Sequence, residues 1–303
     1  MAKLFRIAFS SKTLYFRPPT RFPMSVAPKA SQSVFEKLDH NLVKLSSELR
    51  PQNVHGIRTG TRRLQILLGE LSPKLNRNQK KLLKLLGRLR KRAGKLRDLD
   101  VQLGALRSLK IPREPRRKTQ LMNELIELRR SQEKKLTKTA DKNTIREIRK
   151  RLRRARKDFD PKASGDPLAV AREMLEAVHL GDGKLTEALL HQYRILSKRA
   201  RYAAEFGEQT PETSQFIAGV KRLQDALGDW HDWLILTQTA GKQLGEVRES
   251  SLVAELHNVT GAKFRNAVSM LEPMRTKAEA TKHPAKDSVR SLARTTPPMS
   301  SAA

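Results

Sequence analysis

From Val34 onward, apolar side chains return every three or four residues, and this rhythm leaves little choice of fold. Val34, Leu38, Leu42, Leu45 and Leu49 make one such series, closed by Pro51. That spacing puts them on one face of an α-helix. A second helix is expected from about 53 to 71, broken at Ser72-Pro73, and a long third from about 77 to 109 before Ile111-Pro112. Leu121, Leu125 and Leu128 open a further helix, and Ile145, Ile148, Leu152, Ala155 and Phe159 carry the next. Asp160-Pro161 and Ser164-Gly165-Asp166-Pro167 form the clearest break in the chain. Helices are expected beyond it near 168–180, 185–207, 212–240 and 247–273. Nowhere does a two-residue alternation persist, so no sheet is expected. The class is all-α, built as antiparallel helical bundles with short connections.

The chain has 303 residues, with 62 Lys and Arg against 31 Asp and Glu, a formal net charge of +31. So large an excess draws nucleic acid, an anionic membrane or a polyphosphorylated partner. There is no Cys, which excludes disulfides and thiolate metal sites. No apolar run approaches the length of a membrane span, so membrane insertion is not expected. Residues 1–31 carry Lys3, Arg6, Lys12, Arg17, Arg21 and Lys29 and no acid. They read as a basic disordered tail, with an organellar targeting segment as the alternative. Residues 276–303 are poor in apolar side chains and read as a C-terminal tail. Between the tails one domain is expected over 32–275, in halves of about 32–160 and 167–275.

Those halves carry a repeat. One helix reads His55-x-x-Arg58-x-x-x-Arg62-Arg63, and a later one His191-x-x-Arg194-x-x-x-Lys198-Arg199, 136 residues on. Each is followed by a helix with a glycine and then an acid: Gly94 to Asp98, and Gly228 to Asp232. At about 100° per residue, His55, Arg58 and Arg62 share an arc of about 60°, and His191, Arg194, Lys198 and Arg201 one of about 80°. Tyr202 borders the second arc. The chemistry is oxyanion capture. Arginine presents a rigid fork that grips phosphate bidentately, and histidine adds a donor or, once protonated, a charge. A bound anion would raise the histidine pKa, so affinity is expected to rise as pH falls from about 8 to 6. Asp98 and Asp232 are expected to aim the arginines of the neighbouring helix.

The third helix bears a second basic feature. Arg77, Lys80, Lys81, Lys84, Arg88, Lys91 and Lys95 fall within about a 100° stripe, roughly 27 Å long, opposite Leu82, Leu85, Leu86, Leu89, Ala93 and Leu96. Unpaired like charges at i and i+4 cost a few tenths of a kcal/mol per pair, a cost that a bound polyanion would offset. The run from Arg146 to Lys157 is also basic and reads as solubilising surface.

The segments VHGIRTGTRRLQILL, GKLRDLDVQL, LHQYRILSKRARYAAEF and LQDALGDWHDW resemble the CHAD family, the conserved histidine α-helical domain, over roughly 32–275. The resemblance implies two pseudo-symmetric four-helix halves around a basic groove or channel, inorganic polyphosphate as ligand, and association with polyphosphate granules in a cytoplasmic setting. Carried onto this chain, the ligands would be His55, Arg58, Arg62 and Arg63 in the first half and His191, Arg194, Lys198, Arg199 and Arg201 in the second. Lys81, Lys84, Arg88, Lys91 and Lys95 would line the same groove. No Glu-x-Glu-x-Lys strand of a triphosphate-tunnel catalytic domain is present, so a stand-alone member is implied.

Three functions compete. The first is a non-catalytic polyphosphate binder needing no cofactor. The second is a nucleic-acid-binding basic protein, weakened by 5% aromatics and the lack of a zinc-finger, RRM or helix-turn-helix signature. The third is an enzyme. His55-Gly56-x-Arg58 has Val54 where a histidine phosphatase core needs Arg, and no acid cluster stands ready to ligate a metal. Gly56 and Gly60, both weak helix formers, mark a close approach of an anion or of a neighbouring helix.

Overall fold

A computed structural model describes residues 25–110, 115–177, 185–245 and 250–282. The expectations for residues 1–24 and 283–303 lie outside these. Among the described residues there is no strand, in keeping with the all-α class. The helices are α1 (Pro28–Ser47), α2 (Pro51–Ile66), α3 (Arg77–Ser108), α4 (Pro115–Thr139), α5 (Lys142–Lys157), α6 (Pro167–Glu176), α7 (Glu187–Ala204), α8 (Pro211–Leu244) and α9 (Ser251–Lys282). α1 begins inside the segment expected as a tail, and α9 runs past residue 276, where the second tail was expected to start.

The starts and stops follow from local chemistry. Proline occupies the first turn of α1, α2, α6 and α8, where its missing N–H costs nothing. Asn76 caps α3, and Gln79 returns the favour to the Asn76 backbone, a reciprocal capping box. Asp141, Asp166, Thr186 and Thr210 cap α5, α6, α7 and α8. Gly245, at φ 88°, ends α8 in a backbone conformation that favours glycine. α2 does not simply stop. It widens into a π-turn over Leu67–Leu71, which turns Glu70 outward.

Helices adjacent in sequence pack on one another: α1 on α2, α2 on α3, α3 on α4, and then α6 on α7, α7 on α8 and α8 on α9. α5 docks on both α1 and α3. Arg149 grips Asp39 of α1 with two hydrogen bonds of 2.7 and 2.9 Å, and Arg156 reaches Glu36 at 3.0 Å. Part of the run read as solubilising surface is therefore a clamp. α4 and α5 run antiparallel to α3, since Arg129 bonds Asp100, Asn78 bonds Arg151 and Asn76 bonds Asp158 in descending order.

The core does not divide at the break near 158–166. Leu168, Ala171, Ala200, Ala203 and Phe206 belong to one buried cluster with Leu38, Leu64, Leu86 and Ile148. A second cluster joins the end of α3 to α4, α8 and α9, and a third packs α7, α8 and α9 around the fully buried Trp230. Contacts of α2 with α7 and of α3 with α8 bring the two repeated basic helices together.

The glycines of α2 serve α1, the neighbouring helix. A Cβ at Gly56 would stand 2.8 Å from the Asn41 side chain, and one at Gly60 3.1 Å from Leu38 Cδ1. α2 runs unbroken through both. Leu38 is fully buried and has nowhere to retreat. Gly60→Val is therefore expected to destabilise the protein by about 1–3 kcal/mol through overpacking. Thermal unfolding checks this: a Tm at or above the parent would contradict the close α1–α2 contact.

Candidate anion-binding site

The repeated helices α2 and α7 aim their basic arcs into a shared cavity of about 470 Å³. α2 supplies His55, Arg58 and Arg62, and α7 supplies Arg194, Lys198 and Arg201. The walls come from Arg97, Asp98 and Val101 of α3 and from Gln224 to Asp232 of α8. Gln224 fixes one wall by donating from its buried amide to the Ser197 carbonyl at 2.6 Å. A second cavity of about 480 Å³ shares Arg62, Arg194, Lys198 and Tyr202 with the first, and adds Arg90, Arg199 and Glu70. These shared side chains form a basic wall with open space on two sides.

The carboxylates present are too few, or face other partners. Asp98 accepts from Arg58 at 2.9 Å, and Asp232 lies 3.9 Å from Arg194, close enough to attract but too far to hydrogen-bond. These acids thus orient arginines, as the repeat suggested. Asp225 and Asp229 are engaged by Lys221 at 2.9 Å and Lys263 at 2.7 Å. Among the described residues, no carboxylate stands within ion-pair reach of Arg62, Arg90, Arg97 or Lys198. Buried nitrogens also lack acceptors, among them Nε of Arg90 and Arg194. Removing guanidinium groups from water without acceptors is unfavourable, and an anion would supply those acceptors.

The same imbalance appears in proton affinity. Burial first, then the charges of Arg194 and Arg62, pushes Lys198 down to about 7. Burial, with Arg58 beside it, lowers Arg62 to about 10. Burial and neighbouring cations lower His55 and His191, and hold His231 down to about 3. Burial raises Asp232. His55, His191 and His231 are therefore neutral near pH 7. The group poised to titrate there is Lys198.

Not every expected ligand enters the cavity. Arg63 bonds Glu205 at 2.6 Å, with its guanidinium carbon 5.5 Å from the Tyr202 ring centre, so it ties α2 to the end of α7. Arg201 lines the cavity and lies 5.2 Å from the same ring, 3.4 Å from Glu205. Arg199 pairs with Glu70 on the π-turn. His191 is exposed and packs against His231 with the rings tilted by 44° and their centres 5.1 Å apart, outside the lining of either cavity.

Lys81, Lys84, Arg88, Lys91 and Lys95 are all exposed and line neither cavity. The groove role implied for them is corrected by simple geometry. The α3 face that meets the cavities carries Leu83, Arg90 and Arg97, seven residues apart and about 140° around the helix from the stripe. That heptad spacing was present in the sequence, but the denser exposed stripe concealed it.

The chain is thus a helical protein with a partly enclosed, cation-walled cavity between two repeated helices. A family model, the CHAD domain, matches residues 29–241, and the chain belongs to the CHAD family. Comparison with curated proteins gives no match. Among solved structures the chain is similar to the crystal structure of the CHAD domain from the plant Ricinus communis. The two share 18% identity with a TM-score of 0.51, covering 91% of this chain and 94% of that one, which is a likeness of fold.

The depressed Lys198 sets the pH response. A bound anion restores its pKa toward the ordinary 10.5, so between about 7 and that value binding takes up a proton. Anion affinity is therefore expected to fall as pH rises above about 7, by up to tenfold per unit. Lys198→Arg, charged throughout, should flatten the response. Calorimetric titration at pH 6 to 9 checks this. An equally steep response in Lys198→Arg would assign the proton elsewhere.

Proposed function

We propose that this protein binds inorganic polyphosphate in the cavity between α2 and α7 and does not turn it over. One observation carries the reading. Arg58, Arg62, Arg97, Arg194, Lys198 and Arg201 converge on one partly buried space with too few carboxylates to neutralise them. Such a site favours a ligand with closely spaced charges and many acceptor oxygens. The basic wall shared by the two cavities suits a linear ligand that continues past it. Membership in the CHAD family, linked to polyphosphate, supports the same ligand.

The non-catalytic part of the reading rests on residue type. Guanidinium groups dominate the space, and they hold charge without exchanging protons near neutral pH. Asp98 and Asp232, the acids nearest the arginines, are engaged in aiming them. Among the described residues, no group of three or more His, Cys, Asp or Glu is arranged to hold a metal ion. Nor is any helix there long and apolar enough to cross a membrane. A cytoplasmic protein recruited to polyphosphate granules is the setting this function suggests.

Arg58→Gln combined with Arg194→Gln should weaken polyphosphate binding by roughly a hundredfold to ten-thousandfold, at about 1.5–3 kcal/mol for the charged hydrogen bond lost at each arginine. Helicity by circular dichroism should stay unchanged. Duplex DNA or RNA that displaces labelled polyphosphate from the parent protein's cavity, at lower phosphate concentration than polyphosphate itself, would overturn the assignment. So would phosphate release or chain shortening that is lost in His55→Ala.

A further inference from the structure

The basic surface outside the cavity calls for its own ligand. Walking around α3 from its buried line of Leu82, Leu86 and Leu89, one first meets Asn78, whose amide donates to the Arg151 carbonyl of α5 at 3.1 Å. Continuing about 100° in the same direction reaches the stripe from Arg77 to Lys95. On α5 the walk begins at Ile145, Ile148 and Leu152, passes Arg151, and arrives about 100° later at Arg146, Lys150 and Arg154. Both rows therefore lie outward of the α3–α5 contact, on one face of the molecule. They sit on antiparallel helices whose axes are about 8–10 Å apart. Every residue of the α3 stripe is exposed, as are Arg146, Lys150 and Arg154. Among the described residues none of them has an ion-pair partner, and Glu147 is taken by Arg151 at 2.5 Å. The result is a rigid plate with two rails of one charge.

The chemistry selects among polyanions. A lone phosphate chain follows a single file and leaves one rail unused. A duplex presents two phosphate rails, separated by grooves of about 6 and 12 Å, comparable to the spacing of the rows. Single strands are held by aromatic stacking, and neither α3 nor α5 contains an aromatic residue. Interfacial membrane helices insert apolar side chains. The large exposed hydrophobics, Val43, Ile195 and Met270, belong to α1, α7 and α9. We propose that the α3–α5 face is a second, independent site that binds the phosphate backbone of duplex nucleic acid without reading its sequence. The cavity and the plate lie on different faces of α3, so the two ligands would be held together on one protein.

The experiment is a double dissociation with the full chain, read by fluorescence anisotropy using a labelled mixed-sequence DNA duplex and labelled polyphosphate. Lys84→Gln, Arg88→Gln, Lys150→Gln and Arg154→Gln are combined in one variant. All four positions are exposed, so the fold should persist, and circular dichroism verifies it. Duplex affinity should drop at least tenfold, and the slope of log affinity against log salt should become shallower by roughly 3–4. Polyphosphate affinity should stay within twofold. The Arg58→Gln, Arg194→Gln protein should show the reverse pattern, so loss of the plate and loss of the cavity are separately visible. No duplex binding by the parent, an unchanged duplex affinity in the quadruple variant, or a parallel fall in polyphosphate affinity would each overturn the proposal. So would phosphatidylserine vesicles that bind the parent more tightly than duplex and release the quadruple variant.

Discussion

At the junction of α2 and α7, like-charged side chains are held partly out of water, and the packing around them is arranged to hold them there. Arg62 and Lys198 approach across that junction with no carboxylate within ion-pair reach, and burial first, then neighbouring cations, lowers the proton affinity of each. Left alone, such a contact would push the helices apart. Pairs at its margins oppose this. Arg63 spans to Glu205, Arg199 spans to Glu70, and Gln224 holds α8 to α7 through the Ser197 carbonyl. Tyr202 fills the space between Arg63 and Arg201. Beneath them lies a core drawn from both sides of the central break, so moving one basic helix would disturb apolar packing throughout.

This arrangement explains why the repeat takes the form it does. Each basic helix needs an acid on the following helix to aim its arginine, hence Asp98 for Arg58 and Asp232 for Arg194. The two pairs are unequal, at 2.9 and 3.9 Å, which leaves Arg194 the less satisfied of the two. A fuller set of carboxylates would stabilise the empty protein and compete with any anion. On the proposed reading, the shortage of acids serves anion binding at the expense of stability.

Much of this was legible in the sequence. The apolar rhythm located the helices, because burial on one helix face demands that spacing. The His-x-x-Arg repeat located both cavity-lining arcs, because residues three and four apart must share a face. What stayed hidden was long-range pairing. Arg63 and Arg199 look like ligands until Glu205 and Glu70 arrive, 142 and 129 residues away in the chain. The α3 stripe was read correctly as lying away from the core. Its assignment to the groove failed because the groove meets the flank of α3, at Arg90 and Arg97, rather than its outermost face. Lys198 was visible as a cation, but its weakened hold on a proton comes from neighbours on two helices.

If the unpaired charge at Lys198 destabilises the protein and a polyanion relieves it, removing that charge should be visible in unfolding. Thermal unfolding of Lys198→Met, with and without polyphosphate, tests this most directly. Methionine keeps the length and apolar stem of the side chain while removing the unpaired buried charge. Without ligand at pH 6, where Lys198 is protonated, the variant should unfold at a higher Tm than the parent, and polyphosphate should raise it by less. A lower Tm without ligand, or an undiminished rise with it, would mean that the Lys198 charge neither strains the site nor meets the anion.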